Sequence, residues 1–260
     1  MKVKTFIPLA VFAVFLPLFL FGLFGVGAGA AAKIIETNAA HMAHAPEWLT
    51  RNRAEKPIDR MQVALEWTIR KIQVHWYTDE ASFSKAHSLG SGAIAVARSH
   101  DNTIHLGPKV NSANFDQVFA HELVHIIIYQ KYKDAIPKWL EEGLANHLAK
   151  YGKVDYRWLN QQELPQDVQN LTHPFNKSPA GTHLHYVASQ ALAEMIARKC
   201  DLTNLLRLSV ERKLENYLKT YCEIPDLNTT FRAWVKSKAG TRAPKEAALP
   251  AASLRLSGQI

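Results

Sequence analysis

Two histidines four residues apart, His121 and His125, enclose a glutamate, Glu122, and a pair of adjacent acids, Glu141 and Glu142, follows shortly after. Imidazole nitrogen and carboxylate oxygen are the donors that a borderline divalent ion such as zinc accepts. Two histidines one helical turn apart can hold one ion, and a carboxylate between them can take a proton from water beside it. The chemistry these residues can do together is metal-assisted hydrolysis, with one Zn2+ per chain as cofactor. Such a site needs a third protein donor and one position left open. Glu141 or Glu142 should supply that donor, and spacing alone does not choose between them.

The chemistry holds only if the local structure is helical. In a strand, residues four apart lie about 13 Å from each other, whereas on a helix i and i+4 side chains are neighbours, about 5–6 Å apart at Cβ. The apolar residues Val118, Phe119, Leu123, Val124 and Ile126 to Ile128 surround the histidines, so the expected helix is apolar nearly all round and therefore buried. Asn114 with Gln117 reads as a capping box, and Asp116 suits the positive end. A turn over 133–136 should lead to a second helix with Pro137 at its first position, running to about Lys150. Gly143 costs about 1 kcal/mol inside a helix relative to Ala, which a close approach by another helix would explain.

The elements around this pair are less sharply marked. Residues 72–77 read as a strand, and Asp79 or Thr78 as the cap of a short helix. After a turn at Gly90, Ser91 and Gly92, the stretches 93–97 and 103–106 read as two strands joined by a polar turn. They place a sheet edge beside the cleft, which can pair with an extended peptide or simply pack the core. Residues 61–69 fit a strand and a helix alike, with helix favoured. The stretch 151–182, rich in turn residues, is expected to be a partly structured loop over the cleft. Helices should follow at 183–198, 202–209, 214–221 and 227–236. His41 and His44, at i,i+3, have no third donor nearby and read as surface.

Composition bounds the partners. Of 260 residues, 47% are hydrophobic and 21% charged, enough for one domain with a sizeable core. Net charge is +8, yet no basic run interleaved with aromatics appears, so nucleic acid is not an expected partner. Lys2 and Lys4 precede an apolar run from Phe6 to Val26 that ends in small residues. That is the pattern of a secretory signal, although the run is also long enough to anchor the chain uncleaved. Both readings put the body of the protein outside the cytoplasm, secreted or periplasmic, with the membrane touched only through an uncleaved N-terminus. Cys200 and Cys222 are the two cysteines, and in an oxidising compartment they should form a disulfide. The expected organisation is a signal or anchor over 1–32, an irregular segment over 33–57, one domain over 58–236 and a disordered tail over 237–260. Oligomeric state is not legible.

The pairing of His121-Glu122-Leu123-Val124-His125 with Trp139-Leu140-Glu141-Glu142-Gly143-Leu144-Ala145 resembles the gluzincin metallopeptidases, in particular the peptidase MA-like proteins. The resemblance covers about 72–234. It implies a zincin-like, thermolysin-like α+β domain, a small mixed sheet followed by a mainly helical half. It also implies Glu142, the acid before the glycine, as third ligand, with Glu122 as general base on peptide or protein substrates. Tyr186, opening Tyr186-Val187-Ala188-Ser189, corresponds to a tyrosine that stabilises the oxyanion, a role His183 or His185 could take instead. Asn146 corresponds to a residue that orients a ligand histidine, where an acid is usual. The G-A-M-E-N motif of the gluzincin aminopeptidases is absent, which favours an endopeptidase. The alternative expectation is a non-catalytic envelope protein that keeps the zinc site for structure or partner binding.

Overall fold

The computed structural model describes residues 33–87, 93–171, 179–211 and 214–240. The expected signal or anchor, the turn at 90–92 and the tail beyond 240 lie outside them. Among the described residues no helix is long and apolar enough to cross a membrane.

Five short strands alternate apolar residues toward one side and form one mixed sheet. They are β1 (Ile35–Glu36), β2 (Ala40–Ala43), β3 (Ile72–Trp76), β4 (Ala95–Arg98) and β5 (Thr103–Leu106), in the spatial order β1-β2-β3-β5-β4. β2, β3 and β5 run parallel, and β1 and β4 close the two edges antiparallel. Met42, Ile72, Val74, Ile104 and Leu106 enter the core. Gln73, His75 and His105 alternate with them and occupy the other face. The β4–β5 hairpin turns through Ser99–Asp101 and Asn102, whose φ of 53° is a left-handed conformation that asparagine tolerates.

The span 33–57 is not irregular. It holds β1, β2 and the first turns of helix α1 (Arg51–Ala64). The Thr50 hydroxyl accepts the Arg53 amide at 3.3 Å and caps the helix. Pro57 lies within α1, where Ala54, Pro57, Ile58 and Met61 make one buried face at helical spacing. Parallel strands need a crossover, and α1 is the crossover from β2 to β3. Glu66, at φ 48°, follows the helix end, so the ambiguous stretch 61–69 is part helix and part turn.

Helix α2 (Glu80–His87) is capped by Asp79, whose carboxylate accepts the Ser82 amide at 2.8 Å. The remaining helices are α3 (Phe115–Tyr132), α4 (Lys138–Ala149), α5 (Tyr156–Asn160), α6 (Pro179–Ala197), α7 (Leu202–Glu211), α8 (Leu214–Thr220) and α9 (Leu227–Gly240). Fourteen of the 18 residues of α3 are buried, so it is the central helix. The expected capping box does not form. Asn114 has helical backbone angles already, and its carboxamide accepts the Asn111 amide at 2.8 Å. Gln117 instead donates to the Lys150 carbonyl at 3.1 Å. Pro137 caps α4 in an extended conformation rather than opening it from inside.

The stretch after α4 carries α5 and a 3-10 turn at Val168–Asn170. Much of its described part braces α9. The Asn228 side chain accepts the Val168 amide at 2.7 Å, and the Trp234 indole donates to the Tyr156 hydroxyl at 3.1 Å. Helix α6 starts at Pro179 and α9 runs to Gly240, each a little beyond the expected bounds. A disulfide joins Cys200 to Cys222 with Cα atoms 5.1 Å apart.

Candidate metal centre

Helix α3 supplies two donors and α4 the third. Burial orients α3, and its i,i+4 spacing stacks His121 and His125 on one side with ring centroids 4.9 Å apart. Helix α4 crosses beside it and turns Glu142 toward both rings. The two Nε2 atoms are 3.2 Å apart, and Glu142 Oε2 lies 3.6 Å from that of His121 and 3.7 Å from that of His125. A tetrahedral ion with bonds of about 2.0–2.1 Å holds its donors about 3.3–3.4 Å from one another. The triangle fits such an ion. A buried His121–His125–Glu142 group able to hold a metal ion is therefore present.

The adjacent acid has a different place. Glu141 is 6% exposed, and its Oε1 accepts from His125 Nδ1 at 2.7 Å. Its Oε2 accepts from Lys138 Nζ at 2.6 Å. Burial opposes the Glu141 charge, but the His125 and Lys138 contacts outweigh it and hold the carboxyl below its usual range. With Nδ1 donating to Glu141, the lone pair of His125 Nε2 is left for an ion. Asn146 is buried on α4, where its carbonyl accepts the Tyr151 amide at 2.9 Å. The partner seen orienting a site histidine is Glu141.

Glu122 faces β4. The Ala97 amide donates to its carboxylate. Burial, reinforced by the Glu142 charge and opposed by His125, pushes its pKa up to about 7, near the value suited to a general base at neutral pH. A cavity of about 110 Å³ exposes Glu122 together with both histidines, Glu142 and β4. Tyr186 lines it too. Burial, then the Glu142 and Glu122 charges, raises the Tyr186 pKa, so its phenol keeps its proton. His183 is exposed and packs on Trp158, ring centroids 4.8 Å apart. His185 does not line this cavity.

Sequence reasoning missed Lys138 and Tyr151. The Tyr151 ring sits 5.7 Å from that of His121, and burial followed by the Glu122 charge raises its pKa. The available signal was their place, Lys138 in the first turn of α4 and Tyr151 just after its end, where side chains flank whatever the helix carries. No protein-family model matches the chain, and no curated protein matches it.

Proposed function

We propose that this chain is an extracytoplasmic zinc peptidase of the gluzincin kind with a zincin-like fold, cutting within peptides or proteins. The observation that carries the reading is the donor triangle of His121, His125 and Glu142 beside Glu122, in a cleft bordered by the edge strand β4. Zinc, when bound, polarises a carbonyl and acidifies water. Glu122 receives the proton of the attacking water and returns it to the departing amine. Tyr186, protonated and turned into the cavity, donates to the developing oxyanion. Glu141 keeps His125 in the tautomer that presents Nε2. β4 offers main-chain groups to an extended substrate. The Cys200–Cys222 disulfide supports an oxidising compartment.

Glu122→Gln tests the reading. The variant should keep one zinc per chain by metal analysis and lose about 10²–10⁴-fold in peptide hydrolysis. A wild type that carries zinc yet cleaves nothing in a broad peptide library would overturn it in favour of a non-catalytic zinc protein.

A further inference from the structure

A second cavity, of about 310 Å³, adjoins the metal centre and shares Ala97, Ser99, Lys138 and Glu141 with it. That volume is at the lower end of what small-ligand sites use. It lies where β4 ends and α3 gives way to α4, so a chain laid along β4 across the metal centre meets it next. Its cations are Arg98, Lys133 and Lys138. Arg98 is engaged by Asp101 at 2.7 Å and Lys138 by Glu141 at 2.6 Å. Lys133 makes no ion pair among the described residues; its ammonium lies 4.7 Å from the centre of the Tyr129 ring, itself part of the cavity wall. Asp134, beside it on the turn, lines the cavity as well.

The backbone at Lys133 is the second observation. With φ 56° and ψ −133° it occupies a region that residues bearing a Cβ rarely adopt. A glycine would end α3 there without strain. Residues held in sparsely populated backbone regions cluster at active sites and ligand clamps. Here the strained residue is the cation without an ion pair, on the wall of a cavity continuous with the centre.

We propose that this cavity is a subsite for an acidic side chain of the substrate, with Lys133 as the cation that receives it. The inference rests on the peptidase reading and narrows its substrate class. The test uses the full chain as Glu122→Gln, loaded with zinc. The probes are three sets of end-blocked hexapeptides, identical except for Glu, Gln or Lys at one scanned position. Retention is read by equilibrium dialysis and mass spectrometry. The Glu set should be retained about tenfold over the Gln and Lys sets. Adding Lys133→Gly should bring the sets within about twofold while raising Tm by about 2–4 °C; adding Lys133→Arg should keep the preference. Equal retention, preference for the Lys set, no retention, or a Glu preference that survives Lys133→Gly would overturn the proposal. Hydrolysis by the wild type is scored separately. A Glu preference without cleavage leaves the subsite standing and sinks the peptidase, and cleavage without the preference does the reverse.

Discussion

Successive residues on a helix point about 100° apart, and at Glu141 and Glu142 that turn separates the donor facing both Nε2 atoms from the acid holding a histidine by its far nitrogen. Removing the Glu141 charge should therefore weaken the metal without removing a ligand. Glu141→Gln is expected to lower zinc affinity by about 10–100-fold, measured by competition with a chelator, with the fold intact by circular dichroism. His121, Glu122 and His125 were readable beforehand because two histidines four apart can share one ion only on a helix, so the motif itself argued for the element that carries it. The division between Glu141 and Glu142 was not readable from spacing, because it depends on how α4 crosses α3. The resemblance pointed to Glu142, and the donor distances point the same way. A histidine on the sheet contributes to the pH dependence. His105 is buried on β5, stacked on His75, and bonded to the Tyr77 hydroxyl at 2.8 Å. Burial first, then the charges of His75, Arg98 and His87, lowers its pKa from 6.5 to about 4. Between those values the unfolded chain binds the proton and the folded one does not, so stability falls as pH drops from 6.5 toward about 4. Urea titrations across that window should show the loss, and His105→Gln should reduce it.

At the scale of elements, the contact between α4 and α6 decides whether Tyr186 reaches the centre. A Cβ on Gly143 would overlap the Ser189 carbonyl and lie 3.1 Å from the Ala193 Cβ. Alanine is the better helix former by about 1 kcal/mol, but overpacking of this kind costs about 1–3 kcal/mol. Gly143→Ala should thus destabilise on balance, lowering Tm, and should push α6 outward so that hydrolysis falls more than zinc content does. Expecting a close helix approach at Gly143 was sound, since little else justifies glycine in mid-helix. Helix α1 shows where local signals fail. The expected boundary at 57/58 falls inside the helix, where burial of Ala54, Ile58 and Met61 offsets the hydrogen bond that Pro57 cannot make. The capping box at Asn114 failed for a related reason: Asn111 and Lys150, distant or unweighted in the linear reading, claim the two side chains. Gln130 ties the far end of α3 to the sheet, bonding the Asn102 side chain at 2.7 Å and the Arg70 amide at 2.9 Å. No periodic pattern announces such a bond, because it links residues remote in the chain.

Across the whole molecule the α+β order, a small mixed sheet and then a mainly helical half, follows the reading of the chain from β3 onward, while β1, β2 and the start of α1 lie in the span expected to be irregular. The stretch after α4 is only partly legible: turn residues mark irregular backbone but not the surface it packs on, and here Val168 is tied to α9 while Tyr151 sits beside His121. The disulfide closes the segment holding α7 and α8. Reducing it should cost about 3 kcal/mol, seen as a lower denaturant midpoint, while zinc stoichiometry at neutral pH stays at one per chain, since no ligand lies in that segment. The donors at residues 121, 125 and 142 all belong to one helical hairpin. Coordination therefore closes only a short loop, whose entropic cost is small. During synthesis the donors all emerge before either cysteine does, so the order of the chain lets metal capture precede oxidative closure, and the ion can serve as a template on which the later helices dock.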